Sequence, residues 1–509
     1  MRAKLGSTFL NCRSRREKAL TSFSVAFCHP STAGPVRASL PRLLRLFEVR
    51  VSKHICGIVL GLAALFCLGG CAHYPANATK TADRPGGYYY QNLKRQNNSE
   101  EILFLLAFSG GGTRAAAFSY GLLEALRDVT YEVEGKPRRL VDEVDVISSV
   151  SGGSITAAAY GLYGDRTFEI FEPAFLKRNV ESALLGQVLN PFHWPELWSP
   201  YFGRSDLAAE YYDEILFRHA RFQDLLTNNS PYLIINGTDI ATGTRFSFTQ
   251  NYFDLLASDL NPFPLSRAVA ASSAVPGLLT PVTVNNYSGA HPVAPPDWLV
   301  RQRAVDSQSA VQLLNHLGFF LNNTNYPYLH LVDGGVADNL GLRDYLDAIS
   351  LVEANPELAR EEFAEKVRKV IIISVDAAVH HQETWDRTTK TPDSIPVAMA
   401  ASARIMDHYT ADTLTWFHSA IDNLRIRPEL AGKVDFYAID LSFNQFREPS
   451  EATYFLSLPT SFFLEGRVVD QLKAAARTLL YQNPEFNKMV AELGATTNSP
   501  VTGQQRAVK

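Results

Sequence analysis

From Glu101 onward, apolar β-rich runs alternate with stretches of helical periodicity, and no other feature constrains the fold as strongly. The runs Ile102–Phe108, Val144–Val150, Tyr232–Asn236, Arg245–Phe248, Tyr328–Val332, Val370–Val375 and Phe436–Leu441 read as strands. Between and after them, Arg114–Arg127, Ser154–Leu162, Leu207–Phe217, Asn339–Val352 and Phe462–Leu480 read as helices. Such an order predicts an α/β domain in which helices cover both faces of one sheet. No internal repeat is visible. Residues 485–509 are expected to be a flexible tail, rich in Gly, Ser, Thr and Gln from 494 onward.

The chain has 509 residues, 46% of them hydrophobic and 20% charged, enough to bury a core without disulfide or metal staples. All five cysteines (Cys12, Cys28, Cys56, Cys67, Cys71) lie at or before position 71. A thiolate zinc site and a cysteine nucleophile are therefore excluded from everything that follows. Charge is uneven. Residues 1–50 hold ten Lys and Arg against Glu17 and Glu48, so the remainder is acidic and has no bias toward nucleic acid or anionic lipid.

Residues 55–68 form an apolar run preceded by Arg50, Lys53 and His54 and followed by Gly69, Gly70 and Cys71. Residues 51–70 read as a signal peptide, since a transmembrane helix needs about 20 apolar residues. Leu68-Gly69-Gly70-Cys71 resembles a bacterial lipobox, which implies lipidation of Cys71 and, with Ala72 next, sorting to the outer membrane of a bacterial envelope. A plain signal-anchor is the alternative. Residues 1–50 are expected to carry no fold. Residues 71–100, polar and rich in breakers, are expected to be a disordered tether.

Three strand-end motifs carry the chemistry. Phe108-Ser109-Gly110-Gly111-Gly112-Thr113-Arg114 sits between a strand and an alanine-rich helix. Consecutive glycines let several N–H groups face one point at a helix N-terminus, which suits a bound phosphate or a developing oxyanion. The motif lacks the endings of nucleotide and dinucleotide loops. Ile147-Ser148-Ser149-Val150-Ser151-Gly152-Gly153-Ser154 approximates the G-x-S-x-G nucleophile elbow, with Ser149 in place of the first glycine. Leu331-Val332-Asp333-Gly334-Gly335-Val336-Ala337-Asp338-Asn339 ends an apolar strand on an aspartate. Such a carboxylate is a candidate base for a serine hydroxyl, which needs one at neutral pH.

In this order the three motifs resemble the patatin-like phospholipase family. Arg267-Ala268-Val269-Ala270-Ala271-Ser272-Ser273-Ala274-Val275-Pro276-Gly277 looks like that family's Ala-Ser-x-Ala-x-Pro block. The likeness runs from about Glu101 to Asn339, with weaker echoes to Leu480. It implies a three-layer α/β/α patatin-like fold with a mostly parallel central sheet, its catalytic core at 101–345 and the rest of the domain at 346–484. It also implies ester hydrolysis on a phospholipid or other acyl lipid without metal or cofactor. By this resemblance Ser151 is the nucleophile, Asp333 its base, and Gly110, Gly111, Gly112 and Gly152 line the oxyanion hole. Ser149 departs from the pattern and puts the tightness of the elbow in question.

Several readings stay open at the level of sequence. Arg114 either faces a phosphate head group or pairs with a carboxylate. A Ser–His–Asp triad would draw its histidine from His380, His381, His408 or His418, whereas His330 alternates away from Asp333. The aromatic stretch Pro191–Phe202 is expected to pack into the core, with a lid or a lipid-facing segment as the alternative. A non-catalytic envelope lipoprotein, a serine hydrolase of peptides or thioesters, and an acyltransferase are the rival functions.

Overall fold

The computed structural model describes residues 72–80, 86–96, 98–133, 135–289, 314–315, 317–379, 385–389 and 391–497. Cys71, the 51–70 address, His380 and His381 lie outside the described residues. Eight strands make the central sheet: β1 Ile102–Phe108, β2 Val144–Val150, β3 Tyr232–Asp239, β4 Thr244–Phe248, β5 Val282–Asn285, β6 Tyr328–Asp333, β7 Lys369–Asp376 and β8 Asp435–Ser442. Their order is β8-β7-β1-β2-β3-β6-β5, with β4 paired to β3. Neighbours from β8 through β3 are parallel, while β4, β5 and β6 join antiparallel.

Strands β1 and β7 are apolar along most of their length, and β2 is buried throughout, because helices cover both of their faces. The principal helices are α1 Gly112–Arg127, α2 Gly152–Tyr163, α3 Val180–Leu189, α4 Arg204–Tyr212, α5 Leu265–Ser272, α6 Arg343–Ala354, α7 Ser394–Ile426, α8 Gly466–Gln482 and α9 Pro484–Glu492. The result is a mixed, mostly parallel sheet flanked by helices, a three-layer α/β/α domain. The run Ala115-Ala116-Ala117 and Gly121 let α1 lie close to its neighbours; a Cβ at Gly121 would sit 2.6 Å from Lys473 Cα on α8. No helix among the described residues is long and apolar enough to cross a membrane, the 33-residue α7 included.

Two expectations about order are corrected. The expected tether is fastened to the domain wherever it is described. Ala78–Thr79 pairs with Ser258–Asp259, and the Asn77 amide donates to Ser258 Oγ at 2.8 Å. The fully buried Tyr88 accepts the Leu233 N–H at 2.8 Å through its hydroxyl. A breaker-rich composition forbids regular structure but not docking by individual side chains. The expected tail from 485 begins with α9, which buries Phe486 and Met489, and Thr496–Thr497 pairs with Val129–Thr130.

Candidate active site

The topology itself brings the two sequence-predicted reacting groups together. β2 pairs with β3 up to Val150↔Asn236, while β4 occupies the other edge of β3 from Ile235 to Asp239. A strand has two edges, so β6 must take the edge that β2 vacates, and it pairs Asp333 with Gly237. Asp333 therefore ends where β2 ends, and Ser151 is the residue after Val150. The Ser151 side chain lies near enough to the Asp333 carboxyl to act on its pKa, lowering it.

Ser151 holds φ 50 and ψ −120, a conformation that a non-glycine residue adopts at a cost of about 1–3 kcal/mol. The surroundings enforce it. Its N–H donates to Ser272 Oγ at 2.9 Å, and Ser272 Oγ in turn donates to the Asn236 carbonyl at 2.6 Å. Ser154 Oγ lies 2.9 Å from the same oxygen. The backbone beyond Ser272 then reaches Asp333: the Asp333 N–H donates to Ala274 O at 3.0 Å and the Gly334 N–H to Ser272 O at 3.2 Å. One short segment thus clamps both strand ends, a role that its quoted sequence block did not disclose. Ser149, the departure at the elbow, is buried and turns its hydroxyl onto the Ile234 carbonyl at 3.2 Å, so the turn closes without glycine there.

Gly152 follows the serine because nothing larger fits: a Cβ there would lie 2.0 Å from the Gly112 carbonyl oxygen. The elbow and the glycine loop are in direct contact. Gly111 (φ 139) and Gly112 (φ 60) shape that loop into the start of α1. The N–H groups of Gly111, Gly112 and Gly152 find no backbone acceptor among the described residues. Gly110 differs from the other three glycines, because its N–H donates to the Asn339 carbonyl at 3.0 Å and is not available to an oxyanion. Asn339 was visible in the third motif, but its part in holding the loop was not. A Cβ at Gly110 would meet its Oδ1 at 2.6 Å and Ser151 Cβ at 3.3 Å.

Burial raises the Asp333 carboxyl from 3.8 to about 6, against the opposing pull of the Gly335 N–H and the Ser151 hydroxyl. The Gly335 bond is 2.8 Å long. A raised pKa alone does not single the residue out. Asp145 and Asp347 are also lifted by burial to about 6. Asp145, however, bonds the Phe104 N–H and the Asn98 amide, and Asp347 pairs with Arg245. Asp333 is the one of the three that meets a serine hydroxyl at a strand–helix elbow.

Arg114 corrects the expectation of a head-group or carboxylate contact. The side chain is buried and donates to the carbonyls of Ala377 (2.8 Å), Leu458 (3.0 Å) and Pro459 (2.8 Å) and to Thr460 Oγ1 (3.0 Å). Burial lowers its pKa to about 10, with Asp376 acting in the other direction. It ties the 458–460 loop over the start of α1, where Ser461 O accepts the Thr113 N–H at 2.9 Å. Helix α8 therefore begins at Gly466 and not at Phe462.

Among the described residues, His418 and His330 have partners other than Ser151 and Asp333. His418 Nε2 is 2.5 Å from Asp440 Oδ2, a partner that raises its pKa. His408 is exposed, and exposed His330 meets Thr283 Oγ1 at 3.1 Å.

The fold and this site define a class, an α/β domain that sets a strained serine against a buried carboxyl at neighbouring strand ends. Residues 106–346 match the patatin-like phospholipase family model, so this stretch of the chain is a patatin-like phospholipase domain. Similar solved structures include human GIVD cytosolic phospholipase A2 at 13% identity and TM-score 0.31, covering 54% of this chain and 43% of that one. The same human enzyme in complex with methyl gamma-linolenyl fluorophosphonate matches at 13% identity and TM-score 0.37, covering 80% and 60%. The chain thus spans between 43% and 60% of the length of these two structures. No curated protein matches it.

Proposed function

We propose that this chain is a lipid acyl hydrolase in which Ser151 attacks a carboxylic ester and Asp333 accepts its proton. The observation that carries the reading is the strand register, which ends β2 just before Ser151 and β6 at Asp333 on the same stretch of β3, beside a buried carboxyl lifted to about 6. A carboxylate of ordinary pKa is a weak base for a hydroxyl, and burial makes this one stronger while leaving it ionised at neutral pH. As Ser151 Oγ bonds to the carbonyl carbon, the proton passes to Asp333. The N–H groups of Gly111, Gly112 and Gly152, at the N-termini of α1 and α2, receive the negative oxygen. Collapse expels the alcohol or lysophospholipid, which takes the proton from Asp333, and leaves an acyl-serine. Water then repeats the attack under the same base and releases the fatty acid.

The family match supports a lipid ester as substrate. The lipobox-like Leu68–Cys71 supports a lipid-anchored protein of a bacterial envelope, in the outer membrane by the residue after the cysteine. The test is lipid mass spectrometry after incubation with mixed phospholipids and neutral glycerides. Free fatty acid with its matching lysolipid or alcohol is expected, and Ser151→Ala should yield neither. Equal turnover by Ser151→Ala would remove the assignment.

A further inference from the structure

The segment from α3 to α4 plays no part in the chemistry above, and among the described residues it gathers the densest run of exposed large hydrophobics. Leu185, Leu189, Phe192, Trp194, Trp198 and Tyr201 are all exposed, Phe192 to 88%. These aromatics were expected to pack into the core, and the structure turns them outward. They are not on a loose loop. α3 is capped by Asn179, whose side chain accepts the Ser182 N–H at 2.8 Å, and the Trp194 indole donates to Val188 O at 3.2 Å. The two indoles lie 6.2 Å apart against each other. Tryptophan and tyrosine displayed with leucine and phenylalanine suit a boundary that is apolar on one side and wet on the other. From Val180 to Gly203 there is no Lys or Arg, so attraction to anionic groups cannot be what draws a partner to this face.

The start of the described chain says what covers it. Ser199 Oγ donates to the Ala72 carbonyl at 2.5 Å, and the Tyr74 N–H donates to Tyr201 O at 2.8 Å. His73 stacks on Tyr201 with ring centroids 5.1 Å apart. Ala72 is joined by a single peptide bond to Cys71, so a lipid on that cysteine would emerge at the edge of the aromatic face with no spacer. The same corner is at the Ser151 end of the sheet. Tyr74 donates to Asn285 Oδ1 at 2.7 Å, and Asn285 pairs with Tyr328. Tyr328 precedes Leu331, the partner of Asp239 at the end of β3, by three residues on a strand antiparallel to β3, and so lies about 10 Å beyond that end.

We infer that the Leu185–Tyr201 face docks on the surface of a phospholipid bilayer, inserting its aromatic rings and turning the Ser151 end of the sheet toward the lipid. The inference rests on reading the chain as a lipid hydrolase anchored at Cys71, and it adds the surface through which the body of the protein, beyond the anchor, meets its substrate. Zwitterionic head groups suffice for this docking. The N-terminal lipid tethers, and the aromatic face sets depth and orientation.

The test uses the full chain reconstituted on phosphatidylcholine vesicles, with Trp298, Trp385 and Trp416 replaced by Phe so that only Trp194 and Trp198 emit. Phosphatidylcholine dibrominated in the upper acyl chain is expected to quench this emission at least about two-fold, as rings buried at the head-group boundary require. Iodide from the water should quench it little. In the double variant Leu189→Ser/Phe192→Ser, quenching by brominated lipid should fall, while cleavage of a soluble short-chain ester stays unchanged and confirms folding. Emission quenched by iodide and not by brominated lipid would overturn the inference. Protection from both quenchers would do the same, since it means that a protein or a second copy covers the face. Ser151→Ala must leave the quenching intact, so docking without hydrolysis would sink the enzymatic reading alone, and hydrolysis without quenching would sink the docking alone.

Discussion

Replacing Asp333 with asparagine is expected to stabilise the protein at neutral and alkaline pH while removing its activity. The carboxyl is buried and its pKa is raised from 3.8 to about 6. Those roughly two pKa units correspond to about 3 kcal/mol, since one unit is about 1.36 kcal/mol. The sign follows from linkage. A carboxyl with a raised folded pKa contributes stability that is fully present below about pH 3.8 and is lost as the pH rises through about 6. At pH 8 the wild type has lost that contribution, and asparagine, which cannot ionise, has not. Asparagine keeps an oxygen for the Gly335 N–H. Allowing for imperfect hydrogen bonding of its amide, the expected gain at pH 8 is roughly 1–3 kcal/mol, or a few degrees in Tm. Thermal unfolding of wild type and Asp333→Asn followed by near-UV circular dichroism at pH 8, 6 and 4 measures it. The difference should shrink through pH 6 and close near pH 4. A variant that is less stable than wild type by the same amount at all three pH values would refute the reasoning, because Asp333 would then be an ordinary structural hydrogen-bonding residue.

Two further substitutions separate the chemistry from the frame that carries it. Gly152→Ala places a methyl group 2.0 Å from Gly112 O and must push the elbow and the glycine loop apart. Its kcat on a soluble ester should drop by roughly 100-fold or more, the loss typical of a displaced oxyanion donor. A kcat within a few-fold of wild type would show that these amides do not serve the reaction. Arg114→Gln removes buried donors to three carbonyls and should destabilise the protein in thermal or denaturant unfolding by about 1–3 kcal/mol for each carbonyl left without a donor. Its KM should move equally for lipids with charged and neutral head groups, and a selective rise for phosphate-bearing lipids would restore a head-group role.

Much of this architecture is legible from residue order, and what is hidden has identifiable physical causes. β1 and most of β7 are continuous apolar runs because both faces are covered, and such runs stand out in any sequence. β5, a four-residue strand of sequence VTVN, offers no such contrast. α7 begins with a proline near its start and mixes polar with apolar residues, so its 33-residue length does not announce itself. Within the site, Ser151, Asp333 and the glycines mark themselves by being small or reactive at strand ends. Ser272 and Asn339 do not, because their work lies in long-range bonds to backbone that only the folded chain brings near. Arg114 misled for the opposite reason. A cation beside an anion-binding loop suggests an anion, yet its partners are carbonyls from residues 377, 458 and 459, far along the chain. The aromatic stretch follows the same lesson, since composition alone argued for burial and the fold buries Phe202 but exposes Phe192, Trp194, Trp198 and Tyr201.

The most direct measurement is the rate at which a fluorophosphonate reacts with the purified protein as a function of pH, with the modified residue mapped by peptide mass spectrometry. The label should fall on Ser151, its rate should rise through a midpoint near pH 6 as Asp333 loses its proton, and Asp333→Asn should react at least about 100-fold more slowly at pH 8. Labelling at another serine, or an undiminished rate in Asp333→Asn, would contradict the pairing of these two residues.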